Sequence, residues 1–329
     1  MTFLYLVISL VLIFDFLNGF HDSANSIAIV ISTKVLSPVV AVTLAAFFNF
    51  IAFFFFPMKV AHTIGGDVVN QEVINLTVIA SALIAAIVWN LLTWWIGLPS
   101  SSSHTLVGGL VGAAVMHSGF SVIILSGFIK IVAFIFVAPI LGMLMSFIIS
   151  SFVVFLFRKV TPSNVDKLFR KLQIISSSSL SLGHGGNDAQ KSMGIIWLAL
   201  IVSGLTTKED PIALWIKLSC QTAIALGTLF GGWRIVKTMG QKITKIKPFE
   251  GFCAETAGAL TLFGATGFGI PVSTTHTITG AIIGVGARKG VSSVKWGVTT
   301  KIFWAWILTI PISASIGAIM YQFFNAVIR

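Results

Sequence analysis

Gly97-Leu98-Pro99-Ser100-Ser101-Ser102-Ser103-His104-Thr105 returns 172 residues later as Gly269-Ile270-Pro271-Val272-Ser273-Thr274-Thr275-His276-Thr277. The glycines that follow keep the same offset, Gly108 with Gly280 and Gly112 with Gly284, and so do Pro139 and Pro311. Lys130 and Lys301 correspond to within one position. A second phrase recurs at an offset of 166: Gly19-Phe20-His21-Asp22-Ser23-Ala24-Asn25-Ser26 against Gly185-Gly186-Asn187-Asp188-Ala189-Gln190-Lys191-Ser192. So many polar landmarks do not recur by chance. The sequence is an internal duplication, with residues 1–157 as one repeat, 172–329 as the other and 158–171 as the join.

Between these landmarks the chain is apolar. Of 329 residues, 56% are hydrophobic and 9% charged, where soluble domains carry about 25% charged residues. Residues 38–57, 73–98, 119–157, 211–233 and 302–328 form the plainest apolar stretches, each near the roughly 20 residues that cross a bilayer. Stretch 119–157 contains one charge, Lys130. As a straight helix it would reach about 58 Å, against a hydrocarbon core of ~30 Å. It is expected to bend, to break at Pro139 or to comprise two segments. These features leave a polytopic membrane protein as the class.

A net charge of +11 suggests nucleic acid, but the basic residues sit in short loops between apolar segments, as the positive-inside rule produces. Cys220 and Cys253 lie among apolar residues without metal-ligand spacing and read as small core side chains. The first lysine is Lys34, so the N-terminus lacks the basic start of a signal peptide and the first segment is expected to be retained.

Loop charges give the orientation. Segment 158–171 carries Arg158, Lys159, Lys167, Arg170 and Lys171 against Asp166 and is expected in the cytoplasm. Residues 172–206 then cross outward to Lys208-Glu209-Asp210, and 211–233 return to Arg234, Lys237, Lys242, Lys245 and Lys247, again cytoplasmic. The corresponding first-repeat loops have the opposite character: Lys34 alone in 34–37, and Lys59 against Asp67 and Glu72 in 58–72. An outside N-terminus fits both halves, which makes them inverted-topology repeats. That architecture belongs to secondary transporters, whose sites lie at the repeat interface near mid-membrane.

The Asp22 and Asp188 phrases are polar, glycine-containing interruptions within apolar segments. Helices broken at Gly19–Asn25 and Gly183–Asp188 would free carbonyls inside a cavity, and Asp with Asn adds carboxylate and amide oxygens. This is the ligand set of a hard cation such as Na+. The structural alternative is that each Asp pairs with Lys191 or caps a half-helix. An unpaired Asp at mid-membrane costs about 2.5–3.5 kcal/mol on insertion scales, and duplication of the Asp with its amides favours cation binding. The two Pro-hydroxyl-His-Thr phrases read as helix starts, with proline in the first turn and Ser or Thr as caps. A helix N-terminus offers unpaired N–H groups and partial positive charge to an anion, and two inverted copies would aim two of them at one point. The alternative is ordinary capping.

His104 and His276 match each other and fit a supporting role behind the hydroxyl loops, while His21 and His184 are not equivalent. Lys191 stands where the first copy has Asn25. It reads as an ion-pair partner of Asp188 or Glu255, ahead of a substrate counter-charge or a snorkelling residue. Asp15 lies in the first apolar segment with no partner evident. The 28 phenylalanines suit lipid-facing surface and helix packing, and some of the tryptophans, such as Trp89, Trp94 and Trp95, suit the interfacial belts.

With these residues in hand, the sequence resembles the inorganic phosphate transporter (PiT) family of cation–phosphate symporters, whose mark is a duplicated Gly-x-Asn-Asp motif. Gly185-Gly186-Asn187-Asp188 matches it, and Gly19-Phe20-His21-Asp22 matches except for His21. The Asn187-Asp188-Ala189-Gln190-Lys191 form looks like the bacterial branch. The resemblance implies an all-α fold of two inverted repeats with broken helices and re-entrant segments, about 12 membrane segments in all, and phosphate as substrate. It implies that the motif Asp, Asn, Ser and Thr residues form the site; phosphate ligands are expected at Ser101, Ser102, Ser103, Thr105, Ser273, Thr274 and Thr275, and at Gln190 beside them. Na+ is implied at Asp22 with Asn25 and at Asp188 with Asn187, and His104, His276, Lys191 and Glu255 are implied around them. No cofactor is implied beyond the co-transported ion, and homo-oligomers are left open. Members couple to Na+ or to protons, and bacterial relatives include sulfate carriers.

The physical need for a cation is plain. Moving one charge against 100 mV costs about 2.3 kcal/mol, and two carboxylates repel an oxyanion until cations discharge them. Neutral amide and hydroxyl ligands around the carboxylates favour Na+, whereas a protonated Asp would make the carrier H+-coupled. The competing classes are an intramembrane hydrolase and an anion channel. Ser103 and His104 as neighbours cannot form a triad alone, and duplication would create two catalytic centres; saturable, cation-dependent uptake separates a carrier from a pore.

Overall fold

The computed structural model describes residues 1–64 and 68–328; Asp67, counted above in the loop 58–72, lies outside them. Hydrocarbon leaves backbone N–H and C=O groups no partner outside their own segment, so apolar runs become helices. In chain order they are α1 (Thr2–Ser32), α2 (Pro38–Ile51), α3 (Lys59–Ile64), α4 (Leu76–Ile96), α5 (Ser102–Ser118) and α6 (Leu125–Phe157). The second half contains α7 (Pro162–Val202), α8 (Leu214–Phe230), α9 (Trp233–Lys237), α10 (Pro248–Gly267), α11 (Thr274–Lys289) and α12 (Trp296–Ile328). The protein is an all-α polytopic membrane protein. Among the described residues α1, α4, α6 and α12 are long and apolar enough to cross a membrane, and α8 with α9 adds a fifth if that bent pair is one span.

Two expectations about breaks are corrected. The Asp22 and Asp188 phrases do not interrupt their helices: α1 runs unbroken for 31 residues and α7 for 41. Their glycines serve contact instead. A methyl group on Gly19 would overlap the backbone of Ile224 in α8, and one on Gly185 the backbone of Asn49 in α2. Of the three alternatives for 119–157, the break at Pro139 does not occur, since α6 is one helix of 33 residues with that proline inside. A helix of about 50 Å crosses the bilayer tilted or with end turns among the headgroups. The sharp bend lies elsewhere, 61° between α8 and α9, where Gly231 adopts a left-handed φ of 69° that only glycine holds cheaply.

The long motif helices cross antiparallel. Lys34 O accepts from Arg170 Nη1 at 3.1 Å, Thr33 Oγ1 donates to Gln173 Oε1 at 2.9 Å and Ser177 Oγ donates to Ser26 O at 3.4 Å. Around them the two halves interlock: α5 packs along α12 and α11 along α6, with Gly280 of α11 directly against the Pro139 backbone.

The loops joining α4 to α5 and α10 to α11 are each held by the opposite half. Lys59 Nζ donates to Gly267 O at 3.1 Å and Thr63 Oγ1 to Gly269 O at 2.9 Å. In the mirror arrangement Arg234 Nη1 donates to Trp95 O at 2.5 Å and Thr238 Oγ1 to Gly97 O at 2.9 Å.

Candidate cation and anion site

Four elements meet at the centre: the middles of α1 and α7 and the N-termini of α5 and α11. Asp22, His184 and Asp188 each place a ligand atom within 4.8 Å of the others, and all three are buried. Two charged carboxylates at that separation repel by roughly 3 kcal/mol or more at an effective dielectric constant near 20, so the groups around them must compensate.

They do so differently. Asp22 Oδ1 lies 2.7 Å from His21 Nδ1 and 3.4 Å from Thr275 Oγ1, a donor. Ser102 Oγ lies 2.7 Å from Asp22 Oδ2 and 2.6 Å from Asn18 Oδ1. One hydroxyl proton cannot serve two acceptors, so this corner holds more oxygen lone pairs than protons. Asp188 instead has Lys191 Nζ 2.5 Å from Oδ1, His184 Nε2 3.2 Å from Oδ2 and the Thr274 hydroxyl donating to Oδ2 at 3.0 Å. Lys191 also donates to Ser103 Oγ at 2.5 Å and to Val272 O at 2.9 Å. Of the two partners open in the sequence, Lys191 therefore takes Asp188, three residues away on the same helix face.

The hydroxyls divide into two groups. Ser101 and Ser273 are N-caps, accepting from His104 N at 3.3 Å and His276 N at 3.2 Å; each keeps its own proton to donate. Thr105 donates its proton to Ser101 O at 2.8 Å, within the first turn of its own helix. Ser102, Ser103, Thr274 and Thr275 face the carboxylates and Lys191. Asn25 Nδ2 donates to Thr274 Oγ1 at 3.2 Å and to Thr275 Oγ1 at 2.9 Å, so it fastens the α11 start to α1.

Several expected ligands stand outside this cluster. Gln190 Nε2 donates to Pro57 O at 2.9 Å and Gly186 O at 2.8 Å, while its Oε1 accepts from Val60 N at 3.0 Å. Its amide secures the start of α3. Asn187 donates to Thr266 Oγ1 at 3.0 Å, leaving its buried Oδ1 without a partner. Glu255 is buried apart from the centre, accepting from Gln173 Nε2 at 3.1 Å and Ser176 Oγ at 2.7 Å. His104 and His276 lie ring to ring at 4.9 Å, and His276 stacks on Trp306 at 4.0 Å. Trp306 Nε1 donates to Pro99 O at 3.2 Å, so these rings buttress the two helix starts.

Sequence reasoning missed Asn18 and Asn49, and it named His184 only as a candidate to line the site. Asn18 and His184 each sit four residues before a motif Asp, at the same offset of 166 as the motif itself, and that regularity was available. Asn49 holds His184, with its Oδ1 3.2 Å from Nδ1, a contact between helices that no local spacing announces. Asp15 is fully buried in α1 beside Ser192 and Cys220.

The profile described as "Phosphate transporter family" matches residues 18–164 and again 157–317. The chain is 55% identical over 315 residues to a "Probable low-affinity inorganic phosphate transporter" of Rhizobium meliloti (strain 1021), covering 96% of this chain and 94% of that one. It is 45% identical over 324 residues to a protein of the same description from Bacillus subtilis (strain 168), covering 98% and 97%. Among solved structures, one titled "The sodium-dependent phosphate transporter" superposes with a TM-score of 0.89 at 28% identity, covering 99% of this chain and 100% of that one. A duplicated profile, near-complete alignment with these relatives and a shared fold agree with the doubled Asp and hydroxyl phrases: the chain belongs to the phosphate transporter family.

Proposed function

We propose that the protein imports inorganic phosphate together with Na+ by alternating access, using two inverted repeats, 1–157 and 172–329, joined through 158–171. It is a transporter and not an enzyme, as are the relatives it matches. The observation that carries the reading is the meeting of Asp22 and Asp188, with ligand atoms within 4.8 Å, between the starts of α5 and α11. Na+ binds at Asp22, where Asn18, Ser102 and Asp22 converge with one hydroxyl proton among them. Phosphate binds beside it at the hydroxyls of Ser102, Ser103, Thr274 and Thr275 and at the N–H groups of the two helix starts. The ion discharges the carboxylate and so makes a repulsive pocket attractive, a reciprocal linkage that couples the fluxes.

The antiparallel course of α1 and α7 and the exchanged loop clamps of Lys59 and Arg234 support inversion of the repeats. An outside N-terminus with cytoplasmic loops at 158–171 and 234–247 rests on the lysine and arginine distribution. No site side chain named above is more than 8% exposed, so access requires the repeats to move.

The test is radiolabelled phosphate uptake into proteoliposomes under separately imposed Na+ and proton gradients, with sulfate as competitor. Uptake should follow the Na+ gradient; following only the proton gradient would make the carrier H+-coupled, and equal inhibition by sulfate would broaden the substrate. Asp22→Asn should lower phosphate uptake and its Na+ dependence together, by roughly 10–100-fold for a lost charge-assisted contact. Unchanged Na+ dependence in that variant would refute the scheme.

A further inference from the structure

The two motif carboxylates are met by different kinds of charge. In the first repeat, position 25 is an asparagine whose amide nitrogen binds Thr274 and Thr275 and brings no charge to Asp22. In the second, the matching position is Lys191. Its Nζ is surrounded by Asp188 Oδ1 at 2.5 Å, Ser103 Oγ at 2.5 Å and Val272 O at 2.9 Å, and the residue is 2% exposed. A carboxylate, a hydroxyl and a backbone carbonyl from three separate elements are the oxygen set that a hard cation collects. An ammonium has three donors and no acceptor, so these three oxygens satisfy it fully.

We infer that Lys191 is a coupling ion built into the chain, standing beside Asp188 where the first repeat takes Na+ beside Asp22. The inference rests on the reading of the paired carboxylates as cation-handling groups. It replaces the second Na+ expected at Asp188 with a tethered charge. A tethered ammonium neutralises its carboxylate and bridges Ser103 at the α5 start to Val272 before α11, as a bound ion would. It never leaves for either solution, so it draws no energy from a gradient. The protein therefore moves one Na+ fewer per phosphate than two symmetric sites would. A role as direct counter-charge for phosphate is disfavoured, because all three N–H donors already have protein acceptors. Positions 25 and 191 together set how many ions each repeat takes from solution.

The experiment uses the full chain in proteoliposomes, reading phosphate uptake against Na+ concentration and the ratio of radiolabelled Na+ to phosphate carried. The wild type should show a Hill coefficient for Na+ of about one, and Lys191→Asn, which restores the first-repeat residue, about two with one more Na+ per phosphate. At low Na+ the variant should lose most uptake, and high Na+ should restore it. A wild-type coefficient near two, or a Lys191→Asn carrier with unchanged ion ratio, overturns the inference. If Lys191→Asn does not fold, Asn25→Lys decides: it should remove the remaining Na+ dependence, and retention of that dependence counts against the proposal. Should the wild type show no Na+ dependence at all, the Na+ reading of Asp22 fails separately. Lys191→Asn then still judges Lys191, gain of an ion requirement supporting the inference and no gain refuting it.

Discussion

The helices that carry the centre are flanked by two unlike regions. Between the centre and the N-terminal end of α1 the packing is mostly apolar: Leu4, Val7, Val11, Ile79, Leu83, Ile195, Ile196 and Leu198 belong to one buried cluster, with Asp15, Ser81 and Ser192 buried as polar exceptions. Towards the end carrying Lys34 and Arg170 the same pair of helices buries Ser26, Thr33, Gln173, Ser176, Ser177 and Ser181 with Glu255. Three pairs among these residues contrast at matched positions of the repeats, while Ser181 matches Asp15 and Ser26 matches Ser192. Val7 corresponds to Gln173 and Val11 to Ser177 at the motif offset of 166, and Leu83 corresponds to Glu255 at the loop offset of 172. The two flanks therefore differ at these matched positions, one mostly apolar and the other richer in polar side chains. A dry flank seals by close packing, whereas a polar flank can exchange its internal hydrogen bonds for water at small net cost. This contrast predicts different opening costs on the two sides of the centre.

The severest way to break this contrast is Leu83→Glu, which writes the second repeat's residue into the first. Leu83 is fully buried in the apolar cluster. A carboxylate there lacks the Gln173 and Ser176 donors that Glu255 has, and an uncompensated buried charge costs about 3–5 kcal/mol. The expected outcome is a large drop in the thermal unfolding midpoint of the purified protein, followed by tryptophan fluorescence. Adding Val7→Gln and Leu10→Ser, the matched donors, should recover part of it. A harmless single variant would mean that the dry flank is already hydrated.

Glu255→Leu makes the opposite exchange and should cost less. It strands the Gln173 amide, while the Ser176 hydroxyl keeps Gln173 O as an acceptor at 3.1 Å; a buried group left unsatisfied costs about 1–3 kcal/mol. Glu255→Gln keeps an acceptor and should be milder. If the polar flank is the route by which substrate leaves, Glu255→Leu lowers the maximal uptake rate and leaves the phosphate concentration for half-maximal uptake nearly unchanged. A change confined to that concentration would instead put Glu255 in the binding step.

How much of this was legible before folding depends on what each residue contacts. The duplication and the paired Asp and hydroxyl phrases were readable because polar residues stand out in an apolar chain. The choice of Lys191 between Asp188 and Glu255 stayed open in the sequence and was decided by the packing, although Lys191 and Asp188 share one helical face. The breaks were misread because glycines such as Gly19 and Gly185 are ambiguous in isolation. They loosen a helix, or they let a neighbouring backbone approach, and only the positions of Ile224 and Asn49 decide between these. The partners of Gln190 were hidden for a similar reason, its amide being taken up by the backbone of Pro57 and Val60 more than a hundred positions away. Glu255 lacked an address until α7 and α10 packed and set Gln173 and Ser176 beside it.

The gentlest comparison replaces matched residues by cysteine, Val11→Cys on the dry flank and Ser177→Cys on the polar one, in a chain whose Cys220 and Cys253 have been changed to alanine. Both positions are buried, Val11 at 0% and Ser177 at 3% exposure, so each thiol reacts only when local structure opens. Opening the polar flank exposes hydrogen-bonding groups that water satisfies, while opening the dry flank exposes apolar side chains at about 25 cal/mol per Å². Cysteine at 177 should therefore react with a water-soluble thiol reagent roughly tenfold faster than cysteine at 11, a difference of about 1.4 kcal/mol in opening. The two variants should unfold at nearly the wild-type temperature, which separates this outcome from general destabilisation. Equal rates would put the barrier to access at the centre itself, in the contacts of Lys191 and Asn25 with the two helix starts. Saturating phosphate and Na+ would then protect both cysteines equally. Under the unequal flanks argued here, the ligands should change the rate at 177 more than the rate at 11, because the looser side is the one whose opening they can bias.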